Sequence, residues 1–452
     1  VGVLLRLELA RLLRSRALVA AGAIWLVAAA GSLVHGHGVI ERQRRALAES
    51  AALQAEHHAA ILGHQPPTAV AADQLYYLTF HTRHEASPWA ALSVGQRDER
   101  SFNLKIRMLA LHGQLYDADI TSPLLAALGA FDFAFVLIAL APLLVIAVCH
   151  DVVSSEREAG TWPLVRAESV SALRMLALKL GVRFGVVAAL VVATTAAAPL
   201  LVGAPLDARV VVVPAVALAY LAVWAMAAAV VALAGRASDV NALVMLGLWV
   251  LWVVVGPALV TTAGAARFPT PEALELTVQQ RHGYHGSWDR PVAETMAAFY
   301  ARYPQWKDVP VATDRYTNAW YYAMQQRGDD AAATAAAGYF ETLRARHGWV
   351  SGWWPLLPPA LVQAALDRTA RTDLPAHLGY LESVAAYHER IKQHFFPIVF
   401  NDAPISAVDW QAAPRHEHRD DGAAGDLTGA FGLLAVWVAA ATVLVTARRA
   451  TL

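Results

Sequence analysis

From Phe131 to His150 the chain reads FDFAFVLIALAPLLVIAVCH, with Asp132 near its start and no other Asp, Glu, Lys or Arg before Asp151. A helix crosses the hydrocarbon core of a bilayer in about 20 residues. This run has the length and the polarity to do so, and five more runs share its character. The spans are read at 17–34, 129–149, 184–206, 210–234, 240–266 and 427–447. A bilayer offers no water to backbone N–H and C=O groups, so such runs must fold as helices that satisfy themselves. Composition agrees: 57% of residues are hydrophobic and 16% charged, against about 25% charged in soluble chains. The fold class expected is an all-α membrane protein with six transmembrane helices.

Residues 1–16 place Leu5, Leu9, Leu12 and Leu13 on one helical face, with Glu8, Arg11 and Arg14 largely opposite. That pattern suits an amphipathic helix lying in the membrane interface. A basic start, an apolar run and Ala28-Ala29-Ala30 also fit a signal peptide loosely, but the orientation of the later spans requires this one to be kept. Two polar insertions, 35–128 and 267–426, interrupt the apolar pattern. Ile40 to Leu62 is charged and alanine-rich and reads as an outward continuation of the first span, stopped at Pro66-Pro67. Ser87-Pro88 and Ser122-Pro123 mark further breaks. The insertions hold eight of the 14 tryptophans and 12 of the 13 tyrosines, which suits a packed domain rather than a linker. Helical patterns occur at Pro291–Tyr303, Thr313–Gln326, Ala331–Arg346 and Leu374–His394, and no strand runs stand out. The single cysteine, Cys149, excludes an intramolecular disulfide. A mostly α domain assembled from both insertions is therefore expected to rest on its own core.

Basic residues near helix ends set orientation. Arg6, Arg11, Arg14, Arg16, Arg157, Arg166, Arg174, Lys179, Arg183, Arg236, Arg448 and Arg449 all fall on one side of a six-span arrangement. That side is read as cytoplasmic, with both termini there and both insertions extracytoplasmic.

The loop at 150–183 carries the strongest motif. Ser155 to Glu158 has capping-box spacing, Gly160 is placed to end a short helix, Pro163 stops its continuation, and Ser169 or Ser171 is placed to start the next. In order, the segment offers an apolar helix with an internal proline (Pro142), Glu156, Glu158, Gly160-Thr161, and a basic helix reaching Lys179. That order resembles the coupling segment of ABC type-2 transporter permeases. Six spans behind an interfacial helix match the same plan. The large insertions, with Trp353-Trp354-Pro355 and the stretch Thr372 to Leu378, look like a branch of that family carrying an extracytoplasmic domain of unknown function. The family commonly has leucine after Gly-Thr, where this chain has Trp162-Pro163.

The resemblance implies a permease of a bacterial cytoplasmic (inner) membrane, an exporter by expectation. It would pair with a second permease copy, identical or related, and be driven by a cytoplasmic ATPase dimer. Glu156, Glu158, Gly160, Thr161 and Lys179 would be its ATPase-coupling residues, membrane lipids its surroundings, and an extracytoplasmic protein a further partner. ATP and Mg would belong to the ATPase, because none of the four lysines of this chain follows a glycine as a phosphate-cradling loop requires. No catalytic, cofactor-binding or metal residue is assigned.

Other classes fare less well. A formal net charge of zero gives nucleic-acid binding no electrostatic support. The cores of the six spans hold no Asp, Glu, Lys, Arg or His, groups that ion-coupled carriers keep at membrane depth. Two alternatives stay open. One is an ATP-driven mechanical or signalling protein that acts on extracytoplasmic partners without transport. The other is a metal-handling protein, for which His35/His37, His57/His58, His81/His84, His282/His285 and His416/His418 are the close pairs. Trp349, Trp353 and Trp354 with Pro355, Pro358 and Pro359 read either as core or as a rest on the outer leaflet.

Overall fold

The computed structural model describes residues 2–115, 130–167, 171–418 and 427–448. Ser122-Pro123, Ser169, Arg449 and the 128/129 boundary lie outside the described residues. The chain is mostly helical. In order come α1 (Gly2–Leu13), α2 (Arg16–Gly63), α3 (Ala71–Leu75), α4 (133–149), α5 (Ser154–Glu158), α6 (Trp162–Ala167), α7 (Ala172–Leu201) and α8 (Arg209–Ala232). Then follow α9 (Ser238–Arg267), α10 (Glu272–His285), α11 (Val292–Arg302), α12 (Asn318–Ser351), α13 (Pro358–Ala370), α14 (Leu374–Phe400) and α15 (Leu427–Ala447). Among the described residues the strands are β1 (Phe80–His81) and β2 (Lys105–Ile106), paired antiparallel. Six helices, α2, α4, α7, α8, α9 and α15, are long and apolar enough to cross a bilayer, the architecture of a multi-pass membrane protein.

The first span and the stalk are one helix. Ser15 caps its start by accepting from Leu18 N–H, and 48 residues follow without a break. At 1.5 Å per residue that is about 72 Å, more than twice the ~30 Å of a hydrocarbon core. Its distal half therefore stands clear of the apolar slab. The third span likewise begins earlier than its apolar run. Helix α7 starts at Ala172 and runs to Leu201, so the expected basic helix and the third span are one, with Lys179 and Arg183 on its first turns.

Two spans carry a wide π turn just before a proline: Val136–Leu140 ahead of Pro142, and Val250–Val255 ahead of Pro257. Proline has no N–H to give to the carbonyl four residues back, and an orphan carbonyl is costly in a bilayer. The carbonyl four residues before Pro142 belongs to Ile138, and the Tyr220 hydroxyl of α8 donates to it (2.9 Å). The Trp249 indole of α9 donates to the neighbouring Ala139 carbonyl (2.9 Å). Helix α8, with Tyr220 and Trp224 fully buried, packs against α4, α7 and α15 at the centre of the bundle. Helix α9 turns Leu243, Val250, Leu251, Val254 and Leu259 outward.

The two insertions share one core. Leu75, Leu78, Phe80 and Ile106 from the first pack with Phe299, Tyr322, Tyr380, Phe395 and Phe396 from the second. The segments Thr313–Gln326 and Ala331–Arg346 are not two helices; α12 starts at Asn318, after Thr313 to Thr317, and runs on through the second. Gly328 and Asp329, between the two patterns, both serve packing: a Cβ on Gly328 would lie 3.2 Å from the Gln280 carbonyl of α10. A Cβ on Gly283 of α10 would lie 2.7 Å from Ala331 Cβ and 2.9 Å from the Arg327 carbonyl, so the glycine permits close crossing of α10 and α12. Asp329 is buried and accepts from Leu111 N–H (2.8 Å) and His112 N–H (3.0 Å), stitching the first insertion to the second. Helices α10 and α13 have no counterpart in the sequence reading.

Candidate functional site: the corner between the second and third spans

The corner is built from short pieces because its sequence stops each helix in turn. Helix α5 lasts five residues. Gly160, at φ +71°, then takes the left-handed conformation that a side chain would strain. Trp162 and Pro163 open α6, where a proline in the first turn loses no intrahelical bond. Ser171 caps α7 by accepting from Arg174 N–H (3.2 Å), as one of the two serines was expected to do.

Four of the five residues read from the sequence meet. Lys179 of α7 donates to Glu156 Oε1. The Thr161 hydroxyl donates to the other carboxylate oxygen and to the Glu156 carbonyl, which also takes Thr161 N–H (3.0 Å). The turn made by Gly160 brings Thr161 back onto Glu156. The result is a charge-assisted knot, the stronger kind of hydrogen bonding, that joins α5 to the start of α7.

Glu158 does something else. The capping box does not form: Val153 occupies the position before α5 and makes no side-chain cap, and the Ser155 hydroxyl has no partner among the described residues. The Glu158 carboxylate instead accepts from Ser238 N–H (2.7 Å) and the Ser238 hydroxyl (2.9 Å). Ala237 leaves the start of α9 without a side-chain cap of its own. Glu158 thus caps a span from 80 residues away, with its negative charge at the positive end of the helix. Ser154 reinforces the join, bonding to Ser238 (2.8 Å) and accepting from Asn241 (3.4 Å). Ser238 and Asn241 were not singled out from sequence. A Ser-Asp pair ahead of an apolar run is a helix-start signal, but nothing local names Glu158 as its partner.

Arg183 entered the sequence reading only as a basic residue near the end of a span. It is buried, and it donates to Glu8 of α1 (2.6 Å), to the Val148 carbonyl at the end of α4 (2.8 Å) and to Asp151. A buried arginine survives only with its donors occupied, and here three elements occupy them. Of the expected apolar face of α1, Leu12 is buried, whereas Leu9 and Leu13 are exposed. Between α1 and α7, Leu7, Arg11, Glu156 and Lys179 border a cleft of about 230 Å³. Mechanically, the corner ties α1 and the ends of α4, α7 and α9 together through named polar bonds.

Four of the histidines gather at one aromatic ring in the insertions. Among the described residues no three His, Cys, Asp or Glu groups are placed to hold a metal ion. His84 stacks on Tyr380 at 4.7 Å, with His377, His416 and His418 around the same ring. Burial, with Arg97 adding, pushes His84 down to about 2, and burial pushes His377 to about 3 and His416 to about 4. These rings are neutral near pH 7 and act as core aromatics. Of the tryptophan stretch, Trp353 is exposed, while Trp354 packs against the bundle and the Pro355 carbonyl accepts from Trp437 of α15 (2.9 Å).

No curated protein and no solved structure matches the chain. One family model does match, DUF3526, described as a domain of unknown function, over residues 273–419. Those residues run from α10 to just past α14, within the second insertion.

Proposed function

We propose that this chain is the membrane subunit of an ABC type-2 transporter, an exporter driven by a separate cytoplasmic ATPase that supplies the ATP and Mg chemistry. In this reading the corner faces the cytoplasm of a bacterial inner membrane, the insertions lie outside, and two permease copies act together. The observation that carries it is the corner itself. A permease without nucleotide chemistry must receive its partner's movement through a contact stiff enough to pass it on. The Glu156–Lys179–Thr161 knot, the Glu158–Ser238 cap and the Arg183 junction join that contact to three spans and α1.

The test is Glu158→Lys. It removes the cap of α9 and puts a cation at the positive end of that helix, a loss of about 1–2 kcal/mol, too small to prevent insertion. The expected result is normal expression with weakened ATPase co-purification or ATP hydrolysis uncoupled from function, and Glu158→Ala intermediate. Coupled activity and full association in Glu158→Lys would sink the assignment of this corner.

One observation favours a second reading, ATP-driven mechanical work on an extracytoplasmic partner. Helix α2 runs unbroken from a span into the insertions, a rigid rod suited to passing movement outward. Substrate-stimulated ATPase activity in liposomes, with movement of that substrate, separates the two.

A further inference from the structure

A cleft of about 690 Å³ opens where the spans meet the insertions. Its volume lies within the ~300–1,000 Å³ of small-molecule sites, and its walls divide by polarity. On the bundle side it is lined by Phe135 and Ile138 of α4 and by Trp249, Val253 and Val254 of α9. Both π turns face it, and Trp249 and Tyr220 hold the α4 carbonyls there. On the insertion side it is lined by Gln96, His347, Gln363, Asp367, Arg368 and Asp373. An apolar floor between spans under a polar roof is the shape of an amphiphile lying along the membrane normal.

The charge of the roof decides the head group. Asp367 accepts from the Ser93 hydroxyl (2.5 Å) and the Gln363 amide (2.8 Å), both neutral donors. Burial pushes its carboxyl up to about 7, and the neighbouring Asp132 and Asp373 push the same way. Burial holds Asp373 above the usual carboxylate range, against the opposing pull of the Ala376 N–H, His347 and Arg368. His347 is itself held low by burial, so it is neutral near pH 7. Arg100 is also near Asp373 and His347. Asp367 is thus a recessed carboxyl whose own hydrogen bonds come from the neutral donors Ser93 and Gln363, and a cation placed on it stabilises its ionised form.

We infer that this cleft is a binding site for an amphiphile with an ammonium head, the ammonium on Asp367 and the hydrocarbon chain between α4 and α9. The inference concerns occupancy and holds whether or not an ATPase moves the ligand. Two sources share this chemistry, a bilayer aminophospholipid and a free long-chain amine.

The experiment uses the full chain in phosphatidylcholine nanodiscs and a dodecylammonium probe with a terminal diazirine. Labelled residues are located by mass spectrometry. Saturable labelling within 249–261 is expected, competed by dodecylammonium at about tenfold lower concentration than by dodecanol and not by dodecyl sulfate. Asp367→Asn lowers probe affinity by about tenfold or more, the scale of a charge-assisted hydrogen bond, and leaves the matching dodecanol probe unchanged. Val253→Trp fills the floor, keeps the carboxyl, and removes labelling by both probes. Competition by phosphatidylethanolamine in the disc supports the site and assigns it to a bilayer lipid; saturable labelling without that competition supports it and assigns a free amine. Labelling spread evenly along the outward face of α9 from Leu243 to Leu259 overturns the inference, as does unchanged affinity in a normally melting Asp367→Asn. Because no nucleotide or ATPase is present, failure here leaves the transporter reading untouched.

Discussion

Replacing Asp329 tests whether the two insertions are one folding unit. The carboxylate sits on α12 and receives Leu111 N–H and His112 N–H from the first insertion. Asp329→Ala leaves both backbone donors without their acceptor in a buried place. Each unmet buried donor costs about 1–3 kcal/mol, so about 3 kcal/mol in total is a conservative expectation. In a domain of roughly 150–250 residues that lowers Tm by about 6–12 °C. Asp329→Asn keeps one side-chain oxygen and one of the two bonds, and should fall near half that shift. The assay is thermal unfolding of the full chain in detergent, followed by tryptophan emission, since Trp306 and Trp320 lie in or against the shared core. Limited proteolysis between residues 107 and 115 should quicken in the same order. A Tm drop below about 2 °C for Asp329→Ala would show that these bonds do not hold the insertions together, and the shared-core account would lose its most specific join.

Residues 267–426 expressed alone lose the Leu75, Leu78, Phe80 and Ile106 side of the core, so the fragment should aggregate or melt without cooperativity; a monodisperse fragment with a sharp transition refutes this. Gly283→Val forces α10 away from Ala331 and Arg327 and should cost about 1–3 kcal/mol as overpacking, with Gly113→Ala, whose added carbon meets only the flexible end of Gln280, as a milder control in the same melt. A reporter fused after Leu452 should be active only in a cytoplasmic format, and cysteines at Ala60 and Asp330 should react with an impermeant reagent from outside; activity of the fusion outside removes at least one span from the topology.

Sequence alone determined what depends on local pattern. Apolar runs of sufficient length had to become helices, because a bilayer leaves the backbone no other partner, and all six are present. The turn at Gly160 and the cap at Ser171 were legible for the same reason: each acts within three or four residues of itself. The grouping of Glu156, Gly160, Thr161 and Lys179 was legible as an ordered motif, although its bonds were not. What the tertiary structure decided are pairings over long separations. Glu158 has capping-box spacing from Ser155, yet its carboxylate goes to Ser238 because the open start of α9 lies beside it. Arg183 reads as one more basic residue near a span, yet three elements close on it. The patterns at Thr313–Gln326 and Ala331–Arg346 read as separate, yet α10 and the first insertion supply contacts at Gly328 and Asp329 that lie within one continuous α12. A hydrogen-bond donor identifies itself by type, but its acceptor is whichever group packing brings within about 3 Å, and a one-dimensional pattern holds no record of that.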